Sequence, residues 1–153
     1  MKRIGFIGLG NMGSKKVVNL LKENYEVIGY DINENLVDKL VPNGIHKAPN
    51  LNEITDDVDV IITMLPNGEV VEKVYDNIVY KLKPETLRTT CSTIDVKTAK
   101  NLPKTCSDNY LFSLAAHVTG GDGDSEDAPL TLIFSDTDKP YTIMLHCFQL
   151  MCN

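Results

Sequence analysis

The sequence predicts an α/β fold, with a mainly parallel sheet that carries helices on both faces. Apolar runs typical of strands alternate with helically spaced segments along the chain, and this alternation indicates a parallel sheet. Residues 58–65 are apolar or β-branched at every position except Asp59, as in a strand buried on both faces. A glycine motif between the first predicted strand and the first predicted helix is the third indication.

The predicted elements of the first half are separated by turn residues. Residues 4–7 form a short β-rich apolar run, and residues 11–22 repeat apolar side chains on one helical face. Asn24 is expected to end this helix in a left-handed conformation, and Pro42 is expected to end the second helix. The elements predicted in this half are strand 4–7, helix 11–22, strand 26–30, helix 33–41, strand 45–48 and helix 51–54.

The second half opens with the strongest predicted strand, residues 58–65. The turn formed by residues 66–68 (Pro-Asn-Gly) ends it. The strand predicted at residues 87–91 is weaker, because three of its residues are polar. The elements predicted in this half are strand 58–65, helix 69–82, strand 87–91, helix 95–102, strand 110–114, strand 130–134 and a helix from residue 139 onward.

Length and charge limit the classes of function. The chain has 153 residues, of which 42% are hydrophobic, and shows neither an internal repeat nor a low-complexity linker. We therefore expect one domain over residues 1–153. The formal charge of −6 excludes the basic surface that nucleic acids or anionic membranes attract. No apolar run approaches the roughly 20 residues of a membrane span, so neither partner is expected.

Cysteine usage and the first residues predict a cytoplasmic location. None of the four cysteines forms a CxxC pair, which favours a reducing compartment. The apolar run at residues 4–7 follows directly after Met1 and two basic residues, and it is shorter than the apolar region of a signal peptide. None of the three histidines has a second histidine four residues away. We therefore expect no metal site.

The motif with the clearest chemical meaning is GxGxxG, formed by Gly8, Leu9, Gly10, Asn11, Met12 and Gly13. In a strand-turn-helix context, the first glycine permits the tight turn and the second lets the backbone approach a pyrophosphate. The third lets the helix pack closely on the strand. The helix N-terminus then offers free N–H groups and partial positive charge to the phosphates.

An acid at the end of the second strand completes the dinucleotide signature. Asp31 lies 18 residues after Gly13, where a carboxylate accepts hydrogen bonds from a ribose diol and repels a 2′-phosphate. No arginine follows Asp31 closely. Both observations favour NAD over NADP as the cofactor.

Two further loops follow the fourth and fifth predicted strands. Leu65 and Pro66 end the fourth strand, and Ser92 and Thr93 end the fifth. Ligands of doubly wound sheets lie at the carboxyl ends of the strands, so both loops should face the dinucleotide. Turn formation alone explains both pairs equally well, and the sequence leaves the two alternatives open.

Four motifs taken together resemble the β-hydroxyacid dehydrogenases, the family of 3-hydroxyisobutyrate dehydrogenase. They are residues 4–13 (IGFIGLGNMG), 30–31 (YD), 61–66 (IITMLP) and 91–95 (CSTID). This resemblance implies a Rossmann domain that binds NAD and an oxidation of a small 3-hydroxy acid to its semialdehyde. It also implies that residues 8–13 hold the pyrophosphate and Asp31 the adenosine ribose, that Leu65 and Pro66 line the cofactor cleft, and that Thr93 lies on the nicotinamide side.

The resemblance also implies a substrate loop. The family's Asp-Ala-Pro-Val-Ser-Gly-Gly corresponds to residues 115–121 (AAHVTGG), where Thr119 keeps a hydroxyl and Gly120 and Gly121 keep backbone donors for a carboxylate. Ala115 and His117 depart from the family pattern. The acidic run that follows should weaken the binding of an anionic acid by repulsion.

Elsewhere, Tyr80 and Glu85 stand where the family has glycines. In the family, the catalytic lysine and an all-helical domain follow the region that matches Asn153. No lysine of this sequence occupies the matching place, so we assign no catalytic residue. We expect the NAD-binding domain without the helical domain, with weak or absent activity on its own.

The apolar stretch 141–153 would be exposed without that domain, and we expect it to mediate self-association or to bind a partner. A non-catalytic nucleotide-binding or protein-interaction module is the alternative function. A non-functional product of a decayed gene is a third interpretation.

Overall fold

The structure, a computed structural model, describes residues 2–91 and the backbone of residues 112–117 and 131–134. Strand and helix alternate over these residues, as predicted. The elements are β1 (Arg3–Ile7), α1 (Asn11–Lys22), β2 (Glu26–Tyr30), α2 (Glu34–Asp38), β3 (His46–Lys47), β4 (Val60–Thr63), α3 (Gly68–Ile78), β5 (Leu87–Thr90), β6 (Phe112–His117) and β7 (Thr131–Phe134), with 3-10 helices at Val41–Asn43, Glu53–Thr55 and Val79–Lys81.

The described strands form one sheet in the order β3-β2-β1-β4-β5-β6-β7. All neighbouring pairs from β3 to β6 are parallel, and β7 is antiparallel to β6. The prediction of a mainly parallel sheet is therefore confirmed. The chain adds β2 and β3 on one side of β1 and then returns to add β4 on the other. This reversal makes the gap between β1 and β4 the switch point, where doubly wound sheets bind their ligands.

Helices cover both faces of the sheet over the described residues, which confirms the doubly wound architecture. Side chains of β1 alternate between the faces, so that Ile4 and Phe6 lie in one apolar cluster and Ile7 lies in the other. The first cluster includes residues of α1 and α2, and the second includes residues of α3. The strands at the centre are buried on both sides, as the β-branched run at residues 58–65 predicts.

Several element boundaries differ from the prediction. The second helix was predicted over 33–41, but α2 ends at Asp38 and a 3-10 helix follows at Val41–Asn43. Proline lacks an N–H group and restricts the residue before it, so Pro42 shortens the helix more than expected. Gly44, with φ of +104°, completes the stop.

Most other differences are also shortened elements, including strand 58–65, which is observed as Val60–Thr63. The strand predicted at 110–114 instead continues to His117. The helix predicted at 51–54 is a 3-10 helix at Glu53–Thr55, and the helix predicted at 69–82 becomes 3-10 after Ile78. Strand 45–48 is reduced to two residues. The helices predicted at 95–102 and from 139 lie outside the described residues.

The end of α1 follows the prediction. Asn24 has a φ of +62°, and its N–H donates to the carbonyl of Leu21 while the N–H of Tyr25 donates to Leu20. These bonds satisfy two carbonyls that a helix end leaves open.

An ionic network lies at the amino ends of β1 and β4. The Asp59 carboxylate accepts hydrogen bonds from the Arg3 backbone N–H at 3.0 Å and from Lys83 Nζ at 3.1 Å. Partial burial opposes the charge of Asp59, but the bonds from Arg3 and Lys83 outweigh it and lower the pKa of this carboxyl. Lys83 Nζ also contacts Asp57 at 3.1 Å.

Two non-glycine residues near this network, Asp57 and Glu85, have φ of +52° and +68°. Glu85 is one of the two positions at which the resemblance implies a glycine.

Candidate functional site

Gly8 makes the sharp turn at the end of β1. Its φ is +97°, in the region that favours glycine. Its N–H donates to the carbonyl of Tyr30 at 3.0 Å, and an added Cβ would collide with the carbonyl oxygen of Met64. The turn is therefore enclosed between the ends of β2 and β4, and only a residue without a side chain fits it.

The other two glycines of the motif have opposite surroundings. A Cβ on Gly13 would collide with the carbonyl oxygen of Gly8, which shows that helix α1 packs directly on the turn. A Cβ on Gly10 would meet no heavy atom of the described residues within 4 Å. The motif thus has two glycines required by the fold and one that leaves its backbone open to a ligand.

The N-terminus of α1 adds an electropositive surface to this opening. The helix begins at Asn11 with Gly10 as its N-cap, and its first turn contains no acidic residue. The first N–H groups of a helix have no partner within the helix and carry partial positive charge. Asn11 is exposed and Met12 is 54% exposed, so this end of the helix is accessible. A phosphate group fits such a site.

The Asp31 carboxylate lies directly after β2 and is half-buried. Its Oδ2 accepts the Leu9 backbone N–H at 2.7 Å, and its Oδ1 accepts the Asn33 backbone N–H at 2.8 Å. An ionised carboxylate can accept about four hydrogen bonds, so both oxygens retain an acceptor position. Asp31 can therefore receive a diol while the two backbone bonds orient it.

Sequence reasoning missed the contribution of Asn33. An acid whose side chain accepts the N–H two residues later forms an Asx-turn. The spacing from Asp31 to Asn33 was a usable signal for this bond.

A second group of charges lies next to this turn and was also missed. Lys47 Nζ, on β3, donates to Glu34 Oε2 at 2.9 Å and to Asp38 Oδ1 at 2.8 Å. The hydrogen bonds to Asp38 and then Glu34 raise the pKa of Lys47. This cluster depends on the pairing of β3 with β2 and on the position of α2. The spacing of residues in the sequence therefore does not predict it.

Leu65 and Pro66 follow β4 on the same edge of the sheet. The Met64 N–H donates to the carbonyl of Ile7 at 2.8 Å, which holds the end of β4 against β1. The side chain of Leu65 approaches the Cβ position of Gly8 to 3.2 Å, and Pro66 is exposed. The structure thus places Leu65 against the glycine loop, with Pro66 at the surface beside it.

The remaining predicted site residues belong to other parts of the chain. Thr93, Thr119, Gly120, Gly121 and the apolar stretch 141–153 lie outside the described residues. Within the described part of the chain, no group of three His, Cys, Asp or Glu side chains is arranged to hold a metal ion. Among the helices described, none is long and apolar enough to cross a membrane.

Three features of the described site therefore fit a dinucleotide. The space at Gly10 admits a phosphate, the N-terminus of α1 offers N–H groups to it, and Asp31 offers oriented acceptors for a ribose. All three lie at the carboxyl ends of β1 and β2, beside the switch point.

Comparison with known proteins agrees with this geometry. Residues 3–153 match the family described as the NAD binding domain of 6-phosphogluconate dehydrogenase. The chain is 32% identical over 151 residues to the mitochondrial 3-hydroxyisobutyrate dehydrogenase of Drosophila melanogaster, covering 98% of this chain and 47% of the relative. It is 35% identical over 136 residues to the NAD-dependent L-serine dehydrogenase of Pseudomonas aeruginosa, covering 87% and 46%.

A solved structure shows the same similarity. The Mycobacterium tuberculosis 3-hydroxyisobutyrate dehydrogenase, solved with L-serine, is 34% identical, with a TM-score of 0.76 over 79% of this chain and 42% of that protein. The chain spans about half the length of the curated relatives it matches.

Proposed function

Because the chain belongs to the family of the NAD binding domain of 6-phosphogluconate dehydrogenase, we propose that residues 1–153 form the NAD-binding domain of a dehydrogenase related to 3-hydroxyisobutyrate dehydrogenase. The observation that carries this proposal is the hydrogen bond from Leu9 to Asp31. It joins the glycine loop to the acid, so that one ligand can contact both.

The glycine loop binds the pyrophosphate. The lack of side chains at Gly8 and Gly13 permits the tight turn, and the backbone of Gly10 remains accessible to a ligand. The first N–H groups of α1, at Asn11 and Met12, donate to the phosphate oxygens. Leu9 of this loop is buried, and its backbone N–H donates the hydrogen bond that orients Asp31.

Asp31 binds the adenosine ribose through its two remaining acceptor positions. A ribose diol supplies two donors, whereas a 2′-phosphate brings negative charge against the carboxylate. This difference favours NAD over NADP. The similarity to the NAD-dependent L-serine dehydrogenase of Pseudomonas aeruginosa supports the same choice.

The rest of the cleft is proposed from the position of residues along the chain. Leu65 and Pro66 line the cofactor on the β4 side, where Leu65 already contacts the glycine loop. Thr93 follows β5 and lies on the nicotinamide side. Thr119, Gly120 and Gly121 follow β6 and bind the carboxylate of the substrate.

The proposed reaction is hydride transfer between a small 3-hydroxy acid and NAD. NAD, when bound, accepts the hydride from the carbon that bears the hydroxyl group. The hydroxyl proton must pass to a base, and we assign that role to no residue of this chain. We therefore expect these 153 residues to bind the cofactor with little turnover on their own.

Two further expectations belong to this proposal. A cytoplasmic location remains a prediction from cysteine usage. Self-association through residues 141–153 remains a prediction from their apolar composition.

Calorimetric titration of the chain with NAD⁺, and in parallel with NADP⁺, tests the proposed function. We expect saturable binding of NAD⁺ and weaker binding of NADP⁺. Asp31→Ala and Gly10→Val should abolish binding, and Asp76→Ala, an exposed acid on α3, should leave it unchanged. A folded chain that binds neither dinucleotide would overturn the proposal.

A further inference from the structure

The cluster of Lys47, Glu34 and Asp38 lies beside the turn that carries Asp31. Lys47 is paired in register with Gly29 on β2, two positions before Asp31. Glu34 begins α2, directly after Asn33, whose N–H donates to Asp31. The lysine therefore holds the helix whose N-cap residue contacts the acid.

The charges of this cluster are unbalanced. One ammonium group faces two carboxylates, at 2.9 Å from Glu34 and 2.8 Å from Asp38. These contacts occupy two of the three N–H donors of Lys47. The lysine is thus engaged by acids of its own chain, and the cluster adds net negative charge to that of Asp31.

The cluster contributes little to the free energy of unfolding. The side chains of Glu34 and Asp38 are 74% and 54% exposed, and ion pairs between exposed groups contribute little to stability. The cluster can still affect a charged ligand beside the turn, because its net negative charge acts over about 8 Å at physiological ionic strength.

We propose that Glu34 and Asp38 engage Lys47 and so form a second selectivity element against dinucleotides that carry a 2′-phosphate. This inference rests on the proposed function. Specificity is a difference between two affinities, and it can be achieved by repelling the wrong ligand. Here the two acids hold the ammonium group of Lys47, which would otherwise attract the 2′-phosphate. Their own negative charges also repel that phosphate.

The test measures the Kd for NADP⁺ divided by the Kd for NAD⁺ in a set of variants of the whole chain. A lower ratio means weaker selection against NADP⁺. In Glu34→Gln/Asp38→Asn, Lys47 is released, and the ratio of the two constants should fall about tenfold. Adding Lys47→Met should raise the ratio again by about threefold, whereas adding Lys47→Arg should keep it low. These changes in the ratio should be smaller in 1 M salt, where charges interact over only ~3 Å.

Glu69→Gln is the matched control. It breaks an exposed ion pair with Lys73, but on α3, which packs on the opposite face of the sheet. Its ratio should equal that of the unmodified chain. Thermal unfolding of each variant reports whether the domain is intact.

The outcomes separate the two proposals. If NAD⁺ binds and the ratio is the same with and without Glu34 and Asp38, or with and without Lys47 in the double variant, this inference is overturned while the proposed function stands. If the folded, unmodified chain binds no NAD⁺, the proposed function fails and the inference falls with it.

Discussion

The Asp31 carboxylate joins two turns of the site, because its Oδ2 accepts a 2.7 Å hydrogen bond from the backbone N–H of Leu9. Leu9 is 1% exposed, so water cannot replace this acceptor readily. The position of the glycine loop and that of the acid are therefore coupled.

This coupling predicts different effects for two substitutions of Asp31. Asp31→Ala leaves the Leu9 N–H without its acceptor and should lower the free energy of unfolding by about 1–3 kcal/mol, besides abolishing NAD⁺ binding. Asp31→Asn keeps one acceptor oxygen and should lose less stability while still weakening NAD⁺ about tenfold or more. Urea unfolding and calorimetric titration measure the two effects. Equal stability of the two variants would show that Asp31 does not hold the loop.

Substitutions at two glycines of the motif should affect different properties, stability at Gly8 and NAD⁺ binding at Gly10. Gly8→Ala places a Cβ against the carbonyl of Met64 at a φ of +97°, and it should cost more than about 2 kcal/mol of stability. Gly10→Ala meets open space and should change stability by less than about 0.5 kcal/mol, yet weaken NAD⁺ because the methyl group projects into the ligand's path. Thermal unfolding combined with titration distinguishes them. A Gly10→Ala variant with unchanged NAD⁺ affinity would place the pyrophosphate elsewhere.

Replacement of Glu85 by glycine should stabilise the domain. Its φ of +68° is unfavourable for a residue with a Cβ by roughly 1–2 kcal/mol, and glycine relieves this at the expense of a more flexible unfolded chain. Glu85→Gly should therefore raise the free energy of unfolding by about 0.5–1 kcal/mol, measured by urea denaturation.

Tyr80→Gly is the control for Glu85. The resemblance implies a glycine at Tyr80 too, but among the described residues Tyr80 is not one of those with positive φ. Glycine there removes no strain and should destabilise the domain. Stabilisation by both variants would mean that backbone conformation is not the cause.

The network at Asp59 should make stability depend on acid pH. The pKa of Asp59 is lowered in the folded state from its ordinary value of 3.8. A lowered pKa stabilises the fold above the unfolded value, and this contribution disappears as the pH falls below 3.8 through the folded pKa. Asp59→Asn should lose about 1 kcal/mol at pH 7, after allowance for solvent screening.

The same loss should be absent at the acid end of the range, where Asp59 is protonated. Asp57→Asn is the matched comparison, because Asp57 also pairs with Lys83 but its side chain is 85% exposed. Its effect at pH 7 should be smaller. A constant difference between Asp59→Asn and the unmodified chain at every pH would contradict the ionic explanation.

Local patterns were sufficient to predict most of the fold. The strand 58–65 and the helix 11–22 have strong periodicity, and they appear as β4 and α1. The helix α2 ends earlier than predicted, because an α-helix that continued to Pro42 would bring the proline ring against the carbonyl of Asp38, four residues before it. Short elements such as β3 depend on their neighbours in the sheet, so their bounds were less accurate.

The candidate site was predictable only where it is local in sequence. The glycine loop and Asp31 follow from spacing, and the bond from Asn33 could have been found the same way. The contact of Lys47 with Glu34 and Asp38 could not, because it joins a strand to a helix through tertiary structure. The roles of Thr93, Thr119, Gly120 and Gly121 remain predictions.

The Leu9–Asp31 bond also has a consequence for biosynthesis. It spans 22 residues, and Lys47, which pairs with β2, follows soon afterward in the chain. The carbonyl of Met64 against Gly8 is supplied later, by the end of β4. Contacts that are close in sequence form faster. Every partner in the adenosine-facing half is therefore available to the nascent chain before the carbonyl that encloses Gly8 has been synthesised.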